Sequence, residues 1–219
     1  MSLFRVALIM TAISTLAALS ASAQPLDLHR AVANGDISAV HSQIKAGKPL
    51  DVPDSAGRTA LLAAVEQGHN GIALALIAAG ANINAQAANK DTPWLLAGAS
   101  GRTEILAAMI LKGPDLSIRN RYGGNALIPA CERGHVDTVR LLLTTKINVN
   151  HVNDLGWTCL LEAVILSDGG AAHQEIVAMI LAADADPDLA DKDGVTPLAH
   201  AKARRHGKIA ALIERAGGK

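Results

Sequence analysis

Two stretches of this sequence have residue types that could bind a metal ion. His173 begins a pattern found on zinc-binding helices, but Val177 stands where a second His on the same helical face is needed. Carboxylates alternate along Asp184–Asp193 as they do in a calcium loop. However, Leu189 takes the place of the required Gly, and Val195 that of the bidentate Glu. We therefore predict no metal site, and no pattern in the sequence indicates a cofactor.

Catalytic chemistry would need a nucleophile or an acid–base pair. The sequence contains no Gly-x-Ser-x-Gly, no phosphate-binding glycine loop, and no Cys–His pair with a third orienting group. Glu132 and Glu162 could face each other across a groove as general acid and base, but solvated glutamates at helix ends are the simpler interpretation. We predict that the protein is not an enzyme, with an enzyme that uses Glu132, Glu162 or His151 as the alternative.

A unit of 33 residues recurs along the chain and must position all these side chains. Thr59, Thr92, Asn125 and Thr158 follow one another at 33-residue intervals, and Thr196 comes 38 residues later. Each of these residues is placed to cap a short helix, which a glycine turn connects to a second helix. The chain is 50% hydrophobic but only 2% aromatic, and small side chains let helices stack closely. The sequence therefore predicts an all-α solenoid.

The repeated elements resemble the ankyrin repeat. They are Gly-x-Thr-Pro/Ala-Leu, a Gly-His pair nine residues after the Thr, and Gly-Ala-Asn-Ile-Asn. The resemblance covers Leu26 to Gly217 in about six copies, which we number as units one to six, including N- and C-terminal caps. It implies an all-α ankyrin-repeat solenoid over residues 24–219, with helix–turn–helix units joined by β-hairpin-like loops.

The sequence departs from the family pattern at three places. The usual His of Thr-Pro-Leu-His is replaced throughout, by Leu62, Leu95, Ile128, Leu161 and Ala199. Arg205 takes the place of a turn glycine in unit six. The unit that starts near Asn153 carries a five-residue insert within Asp168–His173. Because Asp-Gly-Gly favours turns, we predict that the insert lengthens a loop.

The only two cysteines, Cys131 and Cys159, fall in neighbouring units. Such a pair can form a disulfide in an oxidising compartment. Cys131 lies late in its first helix and Cys159 opens the next, so about five residues of helical rise, roughly 7.5 Å, separate them along the axis. Added to an inter-helix distance of roughly 8–10 Å, this exceeds the limit of roughly 7 Å for a bridge. We predict two free, buried cysteines.

Residues 1–23 have the features of a secretory signal peptide. Arg5 gives a basic start, Val6–Leu19 is mostly apolar, and Ala21–Ala23 supplies the small residues of a cleavage site. The apolar run is too short to indicate a membrane span. We predict cleavage after Ala23 and a mature protein in the periplasm, not inserted in the membrane; an uncleaved anchor and secretion from the cell are the alternatives. Together with Tyr122–His173, the signal resembles exported ankyrin proteins of Gram-negative bacteria.

The chain has equal numbers of basic and acidic residues, 20 of each, so no net charge draws it to nucleic acid, and we predict no nucleic-acid partner. In the ankyrin family, the hairpin tips and the exposed side of the first helices form a concave surface that binds other proteins. The resemblance implies that this surface comprises Arg58 and Glu66 in unit two, Arg121, Tyr122, Glu132 and Arg133 in unit four, and Asp154, Leu155 and Trp157 in unit five.

Units four and five are the favoured hot spot because Tyr, Trp and Arg dominate binding energy at interfaces. The alternative is that Tyr122 and Trp157 only support the hairpins. We predict a monomeric module that binds another exported or periplasmic protein. Two further alternatives are a binder of a small ligand or cell-wall fragment near the insert, and a secreted protein that acts on a host partner.

Overall fold

The computed structural model describes residues 27–219 and contains twelve helices within that range. They pair, unit by unit, as α1 Leu28–Ala33 and α2 Ile37–Lys45, α3 Ala60–Gln67 and α4 Asn70–Ala78, α5 Pro93–Ala99 and α6 Thr103–Ile110, α7 Leu127–Glu132 and α8 Val136–Leu142, α9 Cys159–Ile165 and α10 Ala171–Ala182, α11 Pro197–Ala203 and α12 Gly207–Arg215. No strand is present among the described residues. The predicted signal peptide, residues 1–23, lies outside them.

The Thr or Asn that opens each unit caps its first helix. Thr92 Oγ1 accepts a hydrogen bond from Leu95 N at 3.0 Å, and Thr59, Thr158 and Thr196 make the same contact. In unit four, Asn125 Oδ1 accepts from the backbone N–H groups of Leu127 and Ile128 at 3.0 and 3.2 Å. These acceptors satisfy N–H groups that have no partner within the helix. The predicted caps are confirmed in every unit after the first.

The twelve helices form two parallel stacks around one continuous core. The odd-numbered helices α1 to α11 contact one another in order, and so do the even-numbered helices α2 to α12. The buried side chains between them are mainly Ala, Val, Leu and Ile, with Trp94 as the largest. No unit could bury its apolar face alone, so each depends on its neighbours. The predicted all-α solenoid is confirmed.

The turn between the two helices of a unit is held by a side chain from the following unit. The ring of His135 lies so close to Gly101 that a β-carbon there would be 2.9 Å from its Cγ, and Gly101 also has a φ of +66°. Only glycine meets both requirements. Arg205 has a φ of 60°, so unit six keeps its left-handed turn without a glycine.

The insert in unit five lengthens a helix more than a loop. Helix α10 has 12 residues whereas α8 has 7, and it begins three residues before Gln174, the counterpart of Val136. Two of the five extra residues lengthen the turn, as predicted, whereas the other three extend the helix, which the sequence pattern did not predict. Gly170 begins the helix, and Ala171 and Ala172 favour helix strongly. His173 then resumes the register of His135, and its Nε2 lies 3.0 Å from Glu132 O.

Cys131 and Cys159 form a disulfide, and the prediction of two free cysteines is wrong. Their Cα atoms are 5.5 Å apart. Consecutive first helices cross with the end of one against the start of the next, so axial rise and inter-helix distance do not add. Gly98 and Ala126, which have the same relative positions, show how close this crossing is. A β-carbon on Gly98 would lie 2.9 Å from Ala126 Cβ.

The disulfide should contribute substantially to stability, because it closes a loop over a sequence separation of 28 residues. The chain-entropy relation gives about 3–4 kcal/mol for a loop of that length. We expect the double substitution C131S/C159S to lower the melting temperature measured by circular dichroism. Wild type treated with reductant should melt like the variant, and equal melting of oxidised wild type and variant would contradict the expectation.

Candidate binding site between units four and five

A cavity of about 400 Å³ opens between the hairpin tips and the first helices of units four and five. It is lined by Asn120, Arg121, Tyr122, Gly124, Ile128, Pro129, Glu132, Arg133, Asn153, Leu155, Trp157, Glu162 and Leu166. Because α7 and α9 form its floor, the cavity lies on the face that the resemblance identifies as the concave binding surface. Its volume is within the range of ligand pockets, roughly 300–1,000 Å³.

Hydrogen bonds between the Asn120 side chain and nearby backbone N–H groups fix the hairpin tip of unit four. Asn120 Oδ1 accepts from the N–H groups of Tyr122 and Gly124, both at 2.9 Å. Tyr122 is thereby held 52% exposed at the edge of the cavity. The guanidinium of Arg121 lies 4.9 Å from the centre of the Tyr122 ring and 3.2 Å from the Asp91 carboxylate. Both interactions draw this guanidinium towards its own tip and towards unit three.

The hairpin tip of unit five is tied both to its neighbour and to the cavity floor. Asn153 Oδ1 accepts from the N–H groups of Leu155 and Trp157 at 3.0 Å, and its Nδ2 donates to Glu162 Oε1 at 2.9 Å. Asp154 N donates to Tyr122 O at 2.9 Å, which joins the two tips. One buried asparagine therefore orients both the tip and the carboxyl group below it.

Glu162 is buried, so the prediction of a solvated glutamate is wrong for this residue. Only 5% of it is exposed. Burial, reinforced by the negative charge of Glu132, raises the pKa of the Glu162 carboxyl to about 7, although Asn153 and Arg133 act in the opposite direction. A signal for this was present in the sequence, because the corresponding positions of units two to four hold the apolar residues Ala63, Leu96 and Pro129.

Glu132 differs from the glutamate at the same position of unit two. Glu66 Oε2 lies 2.8 Å from the Arg58 guanidinium, which also pairs with Asp54. No cationic side chain among the described residues lies within 4 Å of the Glu132 carboxylate. The adjacent Arg133 donates instead to Ala99 O at 2.6 Å. Among the described residues, neither of the two carboxyl groups of the cavity thus forms a salt bridge.

The structure brings six of the nine predicted site residues together around this cavity: Arg121, Tyr122, Glu132, Arg133, Leu155 and Trp157. Asp154 does not line it, and its carbonyl accepts from Lys192 Nζ. Arg58 and Glu66 lie in unit two and bind each other. The insert residues Asp168–His173 are also absent from the lining, whereas Leu166, Asn153 and Glu162, which were not among the predicted partner-binding residues, are part of it.

No group of three or more potential metal ligands occurs within residues 27–219. Of the candidates considered from the sequence, His173 interacts with a carbonyl oxygen. Asp186 accepts the backbone N–H of Asp188 within the last hairpin, and Asp188 accepts that of Lys219. None of the helices in this range is long and apolar enough to cross a membrane.

These features define a class of protein: a solenoid of helix pairs whose projecting tips and first helices form one continuous face. The chain belongs to the ankyrin repeat family. Residues 28–120 and 94–191 match the family model described as ankyrin repeats in three copies. This confirms the predicted family.

Three similar proteins place the chain more closely. The ankyrin repeat protein YahD of Escherichia coli (strain K12) is 40% identical over 194 residues, which are 88% of this chain and 96% of that protein. A crystal structure of an ankyrin repeat domain from Acinetobacter baumannii AYE is 49% identical with a TM-score of 0.85, covering 88% of this chain and 98% of that one. The ankyrin repeat domain of Bcl-3, a member of the IkappaB family, is 25% identical with a TM-score of 0.75, over 89% and 87%.

The raised pKa of Glu162 predicts a distinct pH dependence of stability. The folded protein holds a proton on Glu162 up to about pH 7, whereas the unfolded chain releases it near the ordinary glutamate pKa of 4.5. Wild type should therefore lose stability relative to E162Q as the pH rises from 4.5 to 7, by roughly 3 kcal/mol in total. Melting temperatures across this range would measure the difference, and E66Q is the control. Parallel curves for wild type and E162Q would contradict the raised pKa.

Proposed function

We propose that this chain is an exported ankyrin-repeat module that binds another protein through its concave face, with the cavity between units four and five as the centre of the interface. The observation that carries the proposal is the grouping of Arg121, Tyr122 and Trp157 around one cavity. These residue types combine large apolar area with a polar or charged group, and they supply most of the binding energy in protein interfaces.

The mechanism is recognition by a rigid surface. The side-chain oxygens of Asn120 and Asn153 accept the backbone hydrogen bonds that fix both tips, and the bond from Asp154 N to Tyr122 O joins the tips. A partner would therefore bind without a large cost for ordering loops. We expect a monomer, because polar side chains such as Lys202, which pairs with Glu214 at 2.8 Å, cover the terminal unit as a solenoid cap requires.

Two observations support export. The first 23 residues have the composition of a cleaved signal. The Cys131–Cys159 disulfide adds independent support, since disulfides form and persist in oxidising compartments such as the periplasm. We propose a mature periplasmic protein that begins at Gln24, with release from the cell to act on a host protein as the alternative.

Export can be tested directly by expressing the full chain in a Gram-negative host. We expect the periplasmic fraction to contain a protein whose N-terminal residue, read by mass spectrometry, is Gln24. Substituting Ala21 and Ala23 by Asp should block cleavage, because signal cleavage sites need small residues. A full-length wild-type chain that stays in the cytoplasm would contradict the proposal.

Partner binding can be tested by crosslinking in intact cells, followed by identification of the captured proteins. We expect W157A and R121A to lose captured proteins, with affinity lowered about 30-fold, which corresponds to about 2 kcal/mol for a hot-spot side chain. R140A is the matched control for R121A, because Arg140 lies outside the cavity lining and pairs with Glu175 of the next unit, as Arg121 pairs with Asp91 of the preceding one. Equal capture by wild type, W157A and R121A would contradict the site.

A small ligand is the second candidate, because the cavity has the volume of a ligand pocket. A ligand in this cavity would lie beside Tyr122 and Trp157, away from the insert Asp168–His173. Thermal-shift measurements with sugars and peptidoglycan fragments would detect such a ligand, since binding to the folded state raises the melting temperature.

A further inference from the structure

We propose that the cavity between units four and five receives a single cationic side chain, lysine or arginine, of the protein partner, with the cation placed between the carboxyl groups of Glu132 and Glu162. This inference rests on the proposed function and specifies the chemistry of the partner. It follows from three features of the cavity. Its two carboxyl groups form no salt bridge, its two guanidinium groups bond to residues outside the cavity, and its walls include apolar side chains.

The carboxyl groups come from two different helices. Glu132 ends α7 and Glu162 lies within α9, and both line the cavity. They are near enough for the charge of one to raise the pKa of the other. At the position of Glu132, unit two matches its glutamate with Arg58, whereas unit four leaves the carboxylate without a cation from the described chain. Glu162 is buried and Glu132 is half-buried. Charged carboxylates that are withdrawn from water are normally paired, so we assign the pairing cation to the partner.

The two arginines in the lining do not fill that role. Arg121 is held by the Asp91 carboxylate and by the Tyr122 ring. Arg133 donates to Ala99 O, a carbonyl of unit three. Neither guanidinium forms a salt bridge with Glu132 or Glu162, although the charge of Arg133 lowers the pKa of Glu162. An anionic ligand would meet both carboxyl groups at the floor, so a cation is the occupant that complements them.

The remaining lining suits the aliphatic part of a long basic side chain. Leu155 is 52% exposed at the rim, and Pro129, Ile128 and Trp157 contribute apolar surface below it. Lysine and arginine bury their methylene groups along such surface while the charged end finds polar partners. The indole of Trp157 can also attract a cation over its face, whereas Arg121 already lies over the ring of Tyr122.

Burial of Glu162 becomes useful once a cation arrives. Its carboxyl has a pKa of about 7, so it is partly protonated near neutral pH and costs less to bury than a full charge. A cation beside it favours the ionised form. Asn153 holds the carboxyl oriented in advance through the bond from Nδ2 to Oε1, so the site needs no rearrangement to accept the cation.

The test is an NMR titration of the mature protein with capped amino acids. The probes are the Nα-acetyl-N-methylamides of lysine and arginine, with the norleucine derivative as the neutral analogue and the glutamate derivative as the anionic one. We expect saturable shifts of the Trp157 indole and Leu166 amide signals with lysine or arginine only. E132Q and E162Q should each weaken binding about tenfold, as expected for loss of a charged hydrogen bond.

E66Q is the matched control for E132Q, because Glu66 has the same position in unit two and is neutralised by Arg58; its affinity should be unchanged. Melting curves at pH 5, where wild-type Glu162 is protonated, establish that E162Q is folded. The inference is overturned if norleucine or glutamate derivatives bind as well as lysine and arginine, or if E132Q and E162Q bind like wild type. A captured protein that needs Trp157 but not these glutamates would overturn this inference alone. Binding of the cation without any captured protein would overturn the proposed function alone.

Discussion

The close crossing of successive first helices is the constraint on which the rest of the structure depends. At this crossing the last turn of one helix lies against the start of the next, and between units three and five successive first helices approach closely. Gly98 faces Ala126 in one pair of units, and Cys131 bonds to Cys159 in the following pair. Because each unit is fixed by its neighbour in this way, the hairpin tips project as one continuous face, and a cavity between two units keeps a defined shape.

The cavity floor and rim in units four and five are coupled through Asn153. Its side-chain oxygen accepts the backbone hydrogen bonds that fix the hairpin tip, and its side-chain amide nitrogen donates to the Glu162 carboxyl. Unit six has the same arrangement with other residues, since His200 Nε2 lies 2.7 Å from Asp191 Oδ2. A contact between hairpin and helix is thus part of the unit's architecture, and unit five uses it to place a carboxyl group in a largely apolar environment. The resulting pKa is a consequence of position, because the other first helices of the inner units carry apolar side chains there.

The repeat period, the helix caps and much of the lining of the cavity could be predicted from the sequence, because each depends on local chemistry or on a spacing that recurs. Thr92 caps its helix whatever surrounds it, and Tyr122 and Trp157 sit at tips that the period locates. The disulfide could not be predicted from axial rise and helix spacing. The end of one first helix lies against the start of the next, so the distance between the two cysteine Cα atoms is shorter than the sum of those two quantities. The burial of Glu162 was visible only by comparing equivalent positions. The length of α10 depended on whether Ala171 and Ala172 join the helix, which turn propensity alone does not decide.

The position of the disulfide has a consequence for how the molecule comes apart. A linear array normally frays from its ends, one unit at a time, because each unit contacts only its neighbours. The Cys131–Cys159 bridge joins the first helices of units four and five. Unfolding that starts at the C-terminus can therefore release unit six alone, but units four and five must then unfold together. The cavity lies between these two units. Under mechanical pull or attack by proteases from that side, the two units that line the cavity therefore unfold together, and only after unit six.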